Sequence, residues 1–214
     1  MVFHMKIGII AASGKAGKLI AAEALSRGMD VTAIVRDKRK IDTDAYAVIE
    51  KDIFDITVED VDDFEAVVSA FGSDPGMEDT LQTSLKHLTS VFEELPAVRL
   101  LIIGGAASLY LDIDRERQLI ETIPPEWIAV PASMLIAYNE LQKSKANWTF
   151  FSPAGFFDPD GPRTGRYTLG TDYAIYNSAG ESYISYADYA VAMVDEIEKK
   201  NFIGRRFTAV SERS

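Results

Sequence analysis

An alternation of short β-branched runs with helix-spaced apolar residues fills the first 152 residues and constrains the fold more than any other feature. Residues 6–11 (KIGIIA) are almost wholly apolar, as a strand buried on both faces must be. Ala16, Ile20 and Ala24 then recur every four residues, and Gly28 ends that helix as a C-terminal cap. Residues 30–36 (DVTAIVR), 45–50 and 65–71 (EAVVSAF) read as the second, third and fourth strands. Leu81, Leu85, Leu88, Phe92 and Leu95 form one apolar helical stripe before a fifth strand at 99–103. A helix over 132–145 and a strand at 148–152 continue the pattern. Strands alternating with helices in this way pair in parallel through right-handed crossovers. The expected fold is α/β, a doubly wound parallel sheet with helices on both faces.

A length of 214 residues suits one such domain, 1–214, and no linker or repeat divides it. With 22 Lys and Arg against 33 Asp and Glu, the net charge of −11 repels a phosphate backbone and argues against nucleic acid as a partner. The absence of cysteine excludes disulfides and thiolate chemistry. No apolar run approaches the roughly 20 residues of a membrane span, and the N-terminus lacks a signal pattern. A cytoplasmic protein without a membrane partner is expected. Met1 to His4 precede a second methionine, Met5, and read as an alternative start or an appendage. His4 and His87 are the only histidines, one in that appendage and one in the amphipathic helix, so neither a metal site nor a Ser-His-Asp triad is expected. A phosphate-bearing small molecule is then the natural ligand for the sheet.

The turn between first strand and first helix is Ala11-Ala12-Ser13-Gly14-Lys15-Ala16-Gly17. It stands where the fingerprint of a Rossmann-type dinucleotide site belongs. Gly14 would let the backbone approach a pyrophosphate, Gly17 would let helix and strand pack closely, and free amides at the helix start would hold the negative charge. Ala11 occupies the place of the first glycine, which is tolerable if its φ stays negative. Nineteen residues past Gly17, where NAD enzymes commonly carry an acid for the ribose 2′-hydroxyl, stands Arg36. A guanidinium is a planar donor fork for a 2′-phosphate, with Lys38, Arg39 and Lys15 as helpers. This charge pattern favours NADP(H) over NAD(H).

From 153 to 181 the chain is rich in Gly, Pro, Asp and Tyr and loses its periodicity, as a lid-like segment on the substrate side of a sheet does. It closes with a strand at 182–186 and a helix marked by Ala187, Ala190, Val191, Val194 and Ile197, where Ser185 and Asp188 read as a capping-box variant. Asp112, Asp114, Arg115, Glu116 and Arg117 read as a solvated helix start.

Taken together, MKIGIIAASGKAG, VTAIVRD, KDIFD, VSAFG, LLIIGGAASLY, NWTFFSPAGFFDP and ESYISYADYAVAMVDEIE resemble the bacterial NADH–flavin-reductase-like, NAD(P)-binding proteins. These are atypical short-chain dehydrogenases, with biliverdin-reductase-B and NmrA-type proteins as distant relatives. The resemblance implies that Ala12, Ser13, Gly14, Lys15, Ala16 and Gly17 wrap the pyrophosphate and that Arg36 faces the adenosine ribose. It further implies Asp52 and Ile53 beside the adenine and Ala70, Phe71 and Gly72 beneath the middle of the cofactor. Gly104 and Gly105 then fall near the nicotinamide, and Pro153, Ala154, Gly155 and Phe156 on its far side.

The superfamily's usual Tyr-x-x-x-Lys acid falls, in this register, on Ala132 and Ile136, and its serine near Gly104 or Gly105. Ser108 is three or four residues late. Tyr138 and Lys143 are five apart and do not share a helical face. The candidates left for a catalytic role are Ser108 and Tyr138. Carbonyl reduction needs a positioned proton donor, whereas hydride transfer to a flavin does not strictly need one. The expected function is an NADPH-preferring reductase of a small planar acceptor, a flavin or a quinone, held on an aromatic platform drawn from Phe156, Phe157, Tyr110, Tyr167, Tyr173 and Tyr176. The alternative from another class is a non-catalytic NADP(H) sensor of NmrA type.

Overall fold

The computed structural model describes residues 5–214, so His4 and the other three N-terminal residues lie outside the described residues. The first strand, β1 (Lys6–Ile10), is followed by α1 (Lys15–Ser26), β2 (Asp30–Val35), β3 (Ala47–Glu50), a four-residue helix α2 (Val58–Val61) and β4 (Ala66–Ser69). Then come α3 (Asp79–Glu93), β5 (Arg99–Ile103), α4 (Ala129–Leu141), β6 (Trp148–Ser152), β7 (Phe156–Asp158), β8 (Tyr167–Gly170), β9 (Tyr183–Ser185), α5 (Tyr186–Lys199) and β10 (Arg205–Ser211). Eight strands form one sheet in the order β3-β2-β1-β4-β5-β6-β10-β8, parallel except for β8 at the edge; β7 and β9 pair separately. This is a Rossmann-like α/β fold.

The two faces of the sheet hold two cores. On one, Ile7, Ile9, Val31 and Val68 pack with α1 and α5 through Ile20, Ala24, Tyr189 and Met193. On the other, Ile10, Ile34, Val67 and Ile102 pack with α3 and α4 through Leu85, Leu88, Phe92, Tyr138 and Leu141. Because both faces of β1, β2, β4 and β5 are covered, the strands are apolar in sequence and show little alternation. α1 ends as expected, with Gly28 at a φ of +77°.

Three strands, β7, β8 and β10, were not expected. β10 (RRFTAVS) is a central strand between β6 and β8, yet its polar text gives no apolar run. Of its buried polar side chains, Arg206 is taken up by tertiary partners, Ser108 and Asp172, as described below, whereas the Thr208 and Ser211 hydroxyls are buried without a hydrogen bond among the described residues. Residues 112–117 are no helix start; Asp112 accepts from the Glu116 amide at 2.9 Å, and Tyr110 and Gln118 form an antiparallel bridge across the turn. Of the capping box on α5 only half is present. The Ser185 hydroxyl accepts from the Asp188 amide at 2.9 Å, but the Asp188 carboxylate turns away to Thr164 and Gly165. Among the described residues no helix is long and apolar enough to cross a membrane.

Candidate functional site

In the sheet order the chain runs outward one way from β1 to β3 and the other way from β4 onward. The reversal between β1 and β4 leaves a crevice at their C-terminal ends, where open α/β sheets take ligands. A groove of about 830 Å³ lies there. Ile10 and Ala11 leave β1, Arg36 leaves β2, Ala70 and Phe71 leave β4, and Ile103 ends β5, all on its wall.

The turn that enters the groove is tight. The Ala11 carbonyl accepts from the Gly14 amide at 2.9 Å, and the Ala11 amide donates to Ile34 at 2.9 Å. Contrary to the expectation of a negative φ, Ala11 sits at +58°, in the left-handed region that costs an L-residue about 1 kcal/mol or more. Gly17 packs as expected: a Cβ there would lie 2.5 Å from the Ala11 carbonyl oxygen and 2.9 Å from Ala12 Cα. Gly14 has ordinary extended angles, φ −74° and ψ 166°, and faces the groove. No side chain caps α1, so its first amides and its dipole are left to whatever occupies the groove.

At the β2 end the groove is cationic. Arg36 is exposed and lies 3.8 Å from Asp74. Asp37 is taken up by Arg39, whose guanidinium and backbone amide both donate to it and hold its carboxyl down to about 2. Lys38 is drawn to Glu50 at 3.5 Å. Of the basic cluster Arg36, Lys38, Arg39 and Lys40 it is therefore Lys40, rather than the expected helpers Lys38 and Arg39, that joins Arg36 on the groove wall. Lys15 lines the groove further along, 3.8 Å from Asp160. Asp52 does two things: it accepts from the Phe54 amide at 3.1 Å, capping a turn, and it lines the groove beside Ile53 and Lys51.

The far end differs from expectation. Gly72 lines the groove with Ala70 and Phe71, but Gly104, Gly105, Pro153, Ala154, Gly155 and Phe156 do not. A Cβ on Gly104 would meet the Phe150 ring at 2.2 Å, and one on Gly105 the Met134 side chain at 2.9 Å, so these glycines admit core side chains. Ala12 and Ala154 are likewise buried. The residues that wall this end are Ile103, Phe157 and Tyr186. Tyr186 was expected to finish a strand; it opens α5 instead, with its ring 4.0 Å from that of Phe157. The signal for it was present in SYISYADYA, but nothing in the text distinguishes its ring from its neighbours'. The remaining aromatics form no common platform. Tyr110 and Tyr173 pair with each other, with Arg115 over both. Tyr167 donates to Asp195 at 2.7 Å, and Phe156 lies under Arg213.

Ser108 and Tyr138 come together, but not at the groove. Arg206 donates to the Ser108 hydroxyl at 2.6 Å and its carbonyl at 2.8 Å, and lies 4.9 Å above the Tyr138 ring. Tyr138 is packed against Phe150 and Trp148, and its hydroxyl accepts from Gln142 at 3.1 Å. Burial pushes its phenol up, with Arg206 opposing. Both side chains are over nine-tenths buried and serve to hold Arg206. His87 is also structural, its ring 2.9 Å from the Ile56 carbonyl.

The NAD(P)H-binding family profile matches residues 11–200. The chain belongs to the NAD(P)H-binding family. This NAD(P)H-binding protein is 46% identical to the uncharacterized Bacillus subtilis protein YwnB over 211 residues, 97% of its own length and 99% of the relative's. A crystal structure from Streptococcus pneumoniae with the provisional description NADH-flavin reductase superposes with a TM-score of 0.89 at 40% identity, covering 97% of this chain and 100% of the other. One from Bacteroides thetaiotaomicron, provisionally described as an epimerase, gives 0.85 at 33% identity over 99% and 100%. A nicotinamide dinucleotide fits the groove: an uncapped helix start faces it, Gly14 leaves room at the turn, and cations stand at one end.

Proposed function

We propose that this protein is an NAD(P)H-dependent oxidoreductase that prefers NADPH and reduces a small planar acceptor, a flavin or a quinone. The observation that carries the reading is the polarity of the groove: Arg36 and Lys40 stand at one end, Ile103, Phe157 and Tyr186 at the other. β5, which ends in Ile103, is three strands from β2, roughly 14 Å at the usual strand spacing. An extended dinucleotide spans that distance. The name given to the Streptococcus pneumoniae relative, an NADH-flavin reductase, supports the reductase and flavin part of the reading; the NADPH preference rests on Arg36 and Lys40.

NADPH, when bound, supplies a hydride. The protein's own part is binding and orientation. Arg36 offers its donor fork to the 2′-phosphate, with Lys40 adding charge, while Asp37 is withheld from a 2′-hydroxyl by Arg39. The amides opening α1 hold the pyrophosphate. Asp52 and Ile53 border the adenine, and Ala70, Phe71 and Gly72 form the floor. Phe157 offers an apolar face to a planar ring. With Ser108 and Tyr138 locked around Arg206, neither reaches the groove to act as an acid.

That sequestration also suits a non-catalytic NADP(H) sensor; the aromatic end of the groove favours the reductase, since a sensor needs no acceptor surface. NADPH oxidation measured against a panel of flavins and quinones tests the reading. Turnover with at least one acceptor is expected. Tight NADPH binding without turnover on any of them would hand the case to the sensor.

A further inference from the structure

Most tyrosines around the sheet spend their hydroxyl on the protein. Tyr189 donates to the Phe151 carbonyl at 2.7 Å, Tyr183 to Asp158 at 3.1 Å and Tyr167 to Asp195 at 2.7 Å, while Tyr173 accepts from Arg115 at 3.2 Å. Tyr186 differs. It is half-buried, it lines the groove, and among the described residues no group hydrogen-bonds its hydroxyl. Of the other ionisable groups on the groove wall, Lys15 opens α1, and Arg36, Asp37, Lys40, Lys51, Asp52 and Asp74 are carried by the segments after β2, β3 and β4. Tyr186 is the ionisable side chain that keeps company with Ile103 and Phe157.

We propose that Tyr186 is the proton donor of this groove, and that the acceptor it serves is a conjugated carbonyl compound of the quinone kind. The proposal rests on the reductase reading and narrows it. Hydride from the reduced nicotinamide adds, with its electron pair, to one end of the acceptor's conjugated system. The displaced π pair moves to the carbonyl oxygen at the other end, which takes the proton of the Tyr186 hydroxyl. Water at the open mouth of the groove reprotonates the phenolate. Acceptor, NADPH and one proton thus give the hydroquinone and NADP⁺. A quinone leaves charge on oxygen and gains from a donor fixed there, whereas a flavin anion is delocalised and gains little.

Several features suit this role. Burial pushes the Tyr186 phenol up, so it carries its proton at neutral pH. The charges on neighbouring elements are already engaged: Lys15 with Asp160, Asp158 with the Tyr183 hydroxyl, and Asp188 with Thr164 and Gly165. Tyr189, one turn along α5, is fully buried and stays neutral. The Phe157 ring at 4.0 Å and the helix behind it restrict where the phenol points. Position and protonation are thus set by packing before any ligand arrives.

The test begins without turnover. Protein carrying ¹³Cζ-labelled tyrosine, with the Tyr186 signal assigned by its loss in Tyr186→Phe, is titrated between about pH 7 and 11, the range in which a tyrosine ionises. Titrations are run alone, with NADP⁺, and with 2′-phospho-ADP-ribose, which lacks the nicotinamide. The positive nicotinamide ring favours a nearby phenolate, so the Tyr186 midpoint falls with NADP⁺ and stays put with the fragment. Equal midpoints in the two complexes would overturn the proposal. In steady-state NADPH oxidation, Tyr186→Phe lowers kcat with a quinone by roughly 100-fold or more and leaves the quinone KM nearly unchanged. With flavin mononucleotide the same variant loses at least about tenfold less kcat than it does with the quinone. A quinone kcat and pH profile matching the wild type sink the idea. Failure of NADP⁺ to bind in calorimetry brings down the groove reading itself, a result distinct from tight binding with an unmoved Tyr186.

Discussion

Gly14 and Gly17 are glycines for different reasons, and substitutions separate them. Gly14 has extended angles open to any residue, and a Cβ there would meet only the Ala11 carbonyl oxygen, at 3.3 Å. A side chain at this position projects into the groove, so Gly14→Val abolishes NADP(H) binding in calorimetry while the far-UV spectrum and thermal midpoint stay close to wild type; binding at full strength would refute the site. Gly17→Ala drives a methyl into backbone 2.5 Å away and destabilises the fold by about 1–3 kcal/mol in urea titrations. Ala11→Gly relieves a left-handed φ and is expected to be neutral or to stabilise by up to about 1 kcal/mol, the gain limited by the freer unfolded chain. Arg36 pairs only loosely, at 3.8 Å from Asp74, and is free to turn to a 2′-phosphate. Arg36→Ala therefore weakens NADPH by roughly 10- to 100-fold and scarcely touches NADH. Equal losses for both cofactors would make Arg36 a structural residue.

Between elements, one polar network ties α1 to α5 and β8. Glu23 accepts from Arg27 and from Arg163, each at 2.8 Å, and Arg27 reaches across to Asp195 at 2.6 Å and Glu198 at 2.8 Å. Asp195 also accepts from Tyr167 at 2.7 Å and from Lys199. Burial alone would raise the Asp195 carboxyl, but hydrogen bonds from Lys199, Tyr167 and Arg27 outweigh it and hold the group at about 2. A carboxyl depressed in the folded state stabilises above its ordinary value near 4 and loses that contribution as pH falls through its folded value. The unfolding free energy from denaturant titrations should drop between pH 4 and pH 2 by an amount that includes about 2 kcal/mol from this group. Asp195→Asn should flatten the profile by that amount over the same window; an unchanged profile would show that the network is not coupled to folding.

The whole molecule is built around a ligand that touches many elements at once. The groove takes its wall from the turns after β1, β2, β3 and β4, from the end of β5, from β7 and from the starts of α1 and α5. A ligand there binds the folded chain and not the unfolded one. NADP⁺ at 100 times its dissociation constant adds about 2.7 kcal/mol, which for a chain of this size raises Tm by roughly 5–10 °C. The same concentration of NAD⁺ raises it less. A shift of equal size with both would argue against the 2′-phosphate role of Arg36 and Lys40. Behind the groove, β5 and α5 are joined by the buried pair Arg99–Glu196, with Thr149 and the Asn201 and Phe202 amides satisfying the rest of both groups.

Local sequence determined the parts whose physics is local. The parallel core strands were legible because burial on both faces demands an unbroken apolar run, and β5 and β6 fell at their expected bounds. The ends of α1 were legible because a glycine turn and a glycine cap announce themselves. So was the cationic end of the groove, since Arg36 follows β2 by one residue. Tertiary structure decided the rest. β10 is polar text that becomes a central strand because Arg206 finds Ser108 and Asp172 far away in sequence. That same arginine removes Ser108 and Tyr138 from any part in the groove. Tyr186 reaches the groove only because α5 begins where β9 delivers it, against a ring 29 residues earlier. Spacing along a chain shows which residues share a strand or a helix face; it does not show which hydroxyl a distant guanidinium will claim, or which will be left with none.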